Sequence, residues 1–155
     1  ILFFWRKKEN SAFNISPIID ASKTLAGSNT GALKVISSST ELKFYAESGD
    51  ILDAELSKRL LVSIFNKYSP LHDGAVIIKD NFIIATRVVL PLSSKNIPAR
   101  FGLRHRAAIG ITEKTDAICL IVSEETGKIS YIKDGEFVLF KNTQELIEMI
   151  RYDLN

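Results

Sequence analysis

The 155-residue chain has one cysteine, two histidines, one tryptophan and four prolines. A single cysteine leaves no partner for a disulfide within the chain. Its setting, Ala117-Ile118-Cys119-Leu120-Ile121-Val122, reads as a buried core thiol. No set of cysteines and histidines has zinc spacing, which excludes a structural zinc module. A net charge of +2 is too small to argue for a nucleic-acid partner. There is no internal repeat, no low-complexity segment and no feature of a secreted protein. What is present, 46% hydrophobic and 25% charged residues, fits one ordinary globular domain with enough chain for a real core.

The chain opens with Ile1-Leu2-Phe3-Phe4-Trp5, followed by Arg6-Lys7-Lys8. These apolar residues fall far short of the roughly 20 that a membrane helix needs. Ahead of a cationic triplet they read as the tail of a truncated transmembrane segment, with Trp5 at the interface and the cations on the cytoplasmic side. A disordered end or an amphipathic packing segment is the alternative. Residues 1–14 are therefore expected to be an anchor remnant and linker, and 15–155 the folded domain.

Ile15, Ile18, Ile19, Ser22, Leu25 and Ala26 recur at helical spacing and predict a first helix from about Pro17 to Ala26. Ala32 to Ser37 reads as a strand, and Lys43 to Glu47 as a short partner strand. Asp53 is a candidate cap for the next helix, with Glu55 in its first turn and Leu56, Leu60, Leu61, Ile64, Phe65 and Tyr68 along one face. Ser69-Pro70 ends that helix near Tyr68. Ala75 to Lys79 and Phe82 to Leu90 form a hairpin around Asp80-Asn81, and Pro91 to Arg100 is a loop. A short helix follows from Leu103 to about Ile111. Ala117 to Ser123 is a continuous apolar run, hence a central strand. Lys128 to Lys133 and Glu136 to Phe140 pair across Asp134-Gly135. Asn142, with Glu145 three residues on, caps a final helix carrying Leu146, Ile147, Ile150 and Leu154. The expected fold class is α/β (α+β), a twisted, mixed central sheet of about seven strands with helices around it.

Two stretches stand out. Leu71-His72-Asp73-Gly74-Ala75-Val76-Ile77-Ile78 sets a polar triplet at the mouth of a buried strand. Asp73-Gly74 alone reads equally well as a plain turn. Gly102-Leu103-Arg104-His105-Arg106-Ala107-Ala108-Ile109-Gly110 sets two arginines at a helix start, where planar guanidinium forks and free amides suit an anion. Alone it also reads as a solvated basic turn. Together the two stretches resemble the paired Asp-Gly-Ala and Arg-His-Arg motifs of the bacterial diadenylate cyclase family. The likeness is to its membrane-anchored subgroup rather than the DNA-scanning one. The flanks Asn29-Thr30-Gly31-Ala32-Leu33, Leu90-Pro91-Leu92-Ser93 and Val122-Ser123-Glu124-Glu125-Thr126-Gly127 share the resemblance, which runs from about Ile15 to the C-terminus.

The resemblance implies that two ATP molecules condense to cyclic di-AMP and two pyrophosphates, each 3′-hydroxyl attacking the other nucleotide's α-phosphorus. It implies a divalent cation, Mn²⁺ or Mg²⁺, a homodimer for catalysis, and a catalytic domain in the cytoplasm anchored through a segment preceding Ile1. Asp73 is expected near the hydroxyl as proton acceptor or metal ligand, with Gly74 and Ala75 close to the nucleotide. His72 and Glu125 are further metal candidates. Arg104 and Arg106 are expected on the triphosphate, and His105 either in the catalytic set or bracing the loop. Ser123 and Glu124 match residues near the phosphates, and Leu90 one that packs on adenine. Leu103 departs from the family, which mostly carries threonine there. Two rivals stay open: a non-catalytic nucleotide-binding sensor, and a phosphotransfer enzyme acting on one nucleotide.

Overall fold

The computed structural model describes residues 12–155. The expectation placed on Ile1 to Lys8 lies outside them. Among the described residues no helix is long and apolar enough to cross a membrane. The elements are α1 (Ser16–Gly27), β1 (Ala32–Ile36), α2 (Lys43–Ala46), β2 (Asp50–Glu55), α3 (Lys58–Phe65), β3 (Ala75–Lys79), β4 (Phe82–Val88), α4 (Leu103–Lys114), β5 (Ile118–Val122), β6 (Ile129–Lys133), β7 (Glu136–Val138) and α5 (Thr143–Asp153).

The strands form one seven-stranded sheet in the order β2-β4-β3-β1-β5-β6-β7. β1 and β3 run parallel, and the other pairings are antiparallel. β1 and β5 are buried along their whole length because helices cover both faces. Side chains alternate between faces along a strand, so the sheet feeds two cores. Ala32, Ile36, Val76, Ile78, Leu120 and Tyr131 face a core shared with Ile18, Leu25, Leu61, Phe65 and Leu146 of α1, α3 and α5. Leu33, Val35, Ala75, Ile77, Cys119 and Ile121 face a second core, closed by Ala108, Ile109 and Ile111 of α4. The free thiol of Cys119 is buried there, as its apolar setting predicts. Asn142 caps α5 as expected, its Oδ1 accepting from the Glu145 amide at 2.9 Å. The end of α5 is tied down where Asp153 accepts from the Tyr131 hydroxyl and, at 2.7 Å, from Lys133 Nζ.

Two expectations are corrected between Leu42 and Tyr68. Lys43 to Glu47 contains the helix α2, not a strand. Leu42 and Ala46, one turn apart, are buried while Phe44 is exposed, and that is a helical spacing. Asp53 caps no helix. It lies in β2, an edge strand bulged between Ile51 and Ala54, and has a φ of 52°. As an edge strand β2 pairs only with β4 and stays largely exposed, so it lacks the apolar alternation that would have marked it. α3 is capped instead by Ser57, whose hydroxyl accepts from the Leu60 amide at 3.0 Å. The helix ends at Phe65, three residues before the predicted stop, and Tyr68 is exposed.

Candidate active site

Because β1 and β3 are parallel while β4 and β5 oppose them, the starts of β1 and β3 and the ends of β4 and β5 meet at one margin of the sheet. α4 begins above that margin. Gly102, its N-cap residue, supplies no side-chain cap. The space between is a cavity of about 630 Å³ lined by ten of the predicted site residues: Asp73, Gly74, Ala75, Leu90, Leu103, Arg104, His105, Ser123, Glu124 and Glu125. That volume falls in the usual range for small-molecule sites, roughly 300–1,000 Å³.

The β3 side carries the carboxylate. Asp73 is exposed, and its Oδ1 accepts from the Gly74 amide at 3.1 Å. Gly74 has a φ of +84°, and a Cβ there would stand 2.9 Å from the carbonyl carbon of Arg87. Any other residue would strain the turn and push β4 away. Ala75 and Leu90 are buried and give the cavity an apolar wall.

The α4 side carries the cation. Arg104 Nη1 lies 3.8 Å from Glu124 Oε2. Its Nε is buried without a hydrogen-bond partner. Buried donors are normally paired, so this N–H is an unsatisfied donor at the cavity wall. The guanidinium lies over Gly31: a Cβ on Gly31 would come within 2.6 Å of Nη1. His105 is buried, 4.9 Å centroid to centroid from Phe101. Burial, and secondarily the charge of Arg104, hold its pKa below the ordinary histidine range, so the ring is neutral at neutral pH. Leu103 is 72% exposed at the rim. On the β5 side, Ser123 Oγ accepts from the Glu125 and Thr126 amides at 3.3 Å each, a turn that presents Glu124 and Glu125 to the opening.

Two predicted residues are not in the lining. Arg106 Nη1 donates to the carbonyls of Ser93 at 3.0 Å and Lys95 at 2.9 Å. Those two carbonyls hold the Arg106 guanidinium outside the cavity that Arg104 lines. Arg106 braces the Pro91–Arg100 loop, which the Lys95 amine ties to Gly135 O at 2.8 Å. His72 Nδ1 lies 2.8 Å from Ser69 O within its turn. Conversely, Leu33, Arg87 and Arg100 line the cavity and were not singled out from the sequence. Nor was Gly31, although it lies in a quoted flank. Arg87 sits in a strand-like run that marks it only as an outward-facing residue.

The fold is a mixed α/β sheet that sets a carboxylate and a guanidinium at one margin, around one cavity. Residues 19–137 match the family model DAC, described as DisA bacterial checkpoint controller nucleotide-binding, and the chain belongs to that family. It is 44% identical over 137 residues to cyclic di-AMP synthase CdaA of Bacillus subtilis, covering 88% of this chain and 50% of that protein. It is 43% identical over 141 residues to a diadenylate cyclase of Listeria monocytogenes, covering 90% and 52%. The chain thus spans about half the length of these curated relatives. Among solved structures, DacA of Staphylococcus aureus superposes with a TM-score of 0.85 at 38% identity, over 90% of this chain and 94% of that one. A hypothetical membrane spanning protein of Bacillus cereus superposes at 0.80 with 37% identity, over 90% and 70%.

Proposed function

We propose that this chain is the catalytic domain of a diadenylate cyclase, converting two ATP molecules to cyclic di-AMP and two pyrophosphates. The observation that carries the proposal is the single cavity that gathers Asp73-Gly74-Ala75, Leu103-Arg104-His105 and Ser123-Glu124 around its walls. The names of the relatives, cyclic di-AMP synthase and diadenylate cyclase, support it.

In each half-reaction a 3′-oxygen forms a bond to an α-phosphorus, the bond from that phosphorus to the bridging oxygen breaks, and pyrophosphate leaves. The hydroxyl proton goes to the Asp73 carboxylate or, through it, to water. Arg104 holds triphosphate charge with its guanidinium fork, and Gly31 leaves room for that fork. Gly74 and Ala75 bring backbone close to the nucleotide, and Leu90 packs on the base. Neutral His105, wedged on Phe101, fixes the start of α4 and thereby the aim of Arg104. Arg106 acts at one remove, by holding the Pro91–Arg100 loop.

No group of three or more metal-ligating side chains exists among the described residues. The carboxylates of Asp73, Glu124 and Glu125 at the opening suit a hard cation bound by one or two carboxylates plus substrate phosphates. Mn²⁺ or Mg²⁺ held there would neutralise phosphate charge and lower the pKa of the attacking hydroxyl. The product is a symmetric ring and each chain offers one such cavity, so an isologous dimer meeting cavity to cavity is the natural catalyst. Attachment to a membrane belongs to the same proposal.

Incubation with ATP and Mn²⁺ or Mg²⁺, with products identified by mass, tests it. Asp73→Asn should keep the fold and ATP binding and lose turnover. A wild-type chain that only binds ATP would be a sensor, and one that yields mononucleotide products would be a different phosphotransferase. Wild-type-like product formation by Asp73→Asn would sink the role of Asp73.

A further inference from the structure

Arg87 is a cation on the cavity wall that the reaction above leaves unused. It stands near the end of β4, exposed, with a φ of 55°. A non-glycine residue in the left-handed region stores strain, and such strain gathers at functional sites. The register between β3 and β4 slips between Ala75 and Ile77 and again between Ile77 and Ile78. Irregularities of this kind re-aim side chains beside active sites. Gly74 fits against the kink, and no side chain would be tolerated there. The Arg87 guanidinium has a weak hold: Nη1 reaches Asp50 Oδ2 at 3.4 Å, with both side chains 54% exposed. Exposed pairs of this kind contribute little, and Asp50 does not line the cavity. Arg87 is therefore parked on a partner it can leave.

Strand order fixes where it would go. Along the margin run β4, β3, β1 and β5, and so Arg87, Asp73, then Gly31 with Arg104 upon it, then Glu124. Neighbouring strands are about 4.8 Å apart, so Arg87 and Gly31 sit on strands roughly 10 Å apart with the strand of Asp73 between. Two cations thus flank one carboxylate. In the proposed reaction, on which this inference rests, the chain's own triphosphate occupies Arg104 and its 3′-hydroxyl lies at Asp73. The phosphorus under attack belongs to a nucleotide carried by a second copy and must reach Asp73 from the other side. We propose that Arg87 receives that incoming phosphate, swinging from Asp50 to bind the α-phosphate of the second copy's nucleotide. Its fork matches the oxygens on which charge builds as the new bond forms and pyrophosphate departs. Arg87 neither gains nor loses a proton in the step.

The test separates binding from turnover. Arg87→Ala removes the fork, and Arg87→Gly removes it while relieving the positive φ, which guards against a folding defect. Both should bind a non-hydrolysable ATP analogue within about twofold of wild type by calorimetry, yet lose at least about tenfold in kcat at saturating ATP, as expected for a donor used in the transition state. Arg87→Lys should recover part of the rate. Asp50→Asn, which frees the guanidinium, should keep or raise kcat. Wild-type kcat in both truncations would overturn the inference. So would analogue binding that weakens in step with kcat, since Arg87 would then serve its own chain's nucleotide. A fall in Asp50→Asn matching Arg87→Ala would also overturn it, by showing that the ion pair itself is what matters. A wild-type chain that forms no cyclic dinucleotide would overturn the cyclase reading and this inference together, whereas an active wild type with equally active Arg87 variants would overturn this inference alone.

Discussion

Replacing Lys34 by methionine should stabilise the protein at neutral pH, and the gain should fade as the pH rises. Lys34 lies in the middle of β1, paired with Val76 on β3 and Leu120 on β5, and is wholly inaccessible. By alternation it shares the face of Ala32 and Ile36, and its Nζ is 5.9 Å from the centre of the Phe65 ring with no hydrogen-bond partner. Ser22 Oγ donates to Ile18 O, the Tyr131 hydroxyl donates to Asp153, and the buried Thr86 Oγ1, like Lys34 Nζ, has no partner. Cys119 offers no counter-charge either. Burial pushes its thiol well above the usual range, and it faces the opposite core. Burial alone therefore dominates and lowers the Lys34 pKa from 10.5 to about 7. That lowering corresponds to about 5 kcal/mol of disfavoured charge, a large share of the 5–15 kcal/mol that holds a typical domain together.

The sign follows from proton binding. Between about pH 7 and 10.5 the unfolded chain binds more protons at Lys34 than the folded one does, so stability rises with pH across that window. Below it the full penalty stands. Lys34→Met keeps the length of the side chain and removes the charge. Urea melts of both chains at pH 6.5, 8 and 9.5 should show the variant several kcal/mol more stable at the lowest pH, with the difference shrinking upward. Taking the difference between the chains cancels other titrating groups, such as Lys133, whose pKa its hydrogen bond to Asp153 raises. A variant less stable than wild type at pH 6.5, or a difference flat with pH, would refute the reasoning.

Gly31→Ala should leave the melting temperature nearly unchanged, because the methyl meets the far end of the Arg104 side chain and, at 3.2 Å, Glu124 Cβ rather than backbone. Its cost should fall on ATP affinity, by about 1.5–3 kcal/mol if Arg104 loses a charge-assisted contact; unchanged calorimetric affinity would remove Arg104 from the triphosphate. Arg104→Ala and Arg106→Ala should diverge, the first weakening ATP binding and the second lowering stability by roughly 1.5–3 kcal/mol through the freed loop carbonyls. Thermal melts and titrations on the pair would expose a reversal. Leu103→Thr should tighten ATP binding modestly, by about 0.5–1.5 kcal/mol for one neutral hydrogen bond, and weaker binding would mean the rim has packed around leucine.

The sequence was most legible where periodicity and local chemistry agree. β3, β5 and α5 were placed within a residue or two, because an apolar run bounded by polar turns, or an Asn cap with Glu three residues on, leaves few alternatives. Legibility failed at the sheet edge. β2 presents five exposed residues and one half-buried one, so its pairing with β4 is written in backbone hydrogen bonds that leave no trace in side-chain pattern. The same logic divides the site. Asp73 and Arg104, each singled out by a distinctive local motif, both line the cavity. Arg106, two residues from Arg104, carried the same motif signal, yet helix geometry turns it toward Ser93 and Lys95. Arg87 carried no motif signal at all. Its place beside Asp73 depends on a slipped register between β3 and β4, on a positive φ that arginine rarely adopts, and on a glycine thirteen positions earlier in the chain. None of these is written in the residues around Arg87, so neither spacing nor residue type could have revealed it. Residues brought to the cavity by a motif were readable one by one, while those brought by strand order became visible only once the sheet was assembled.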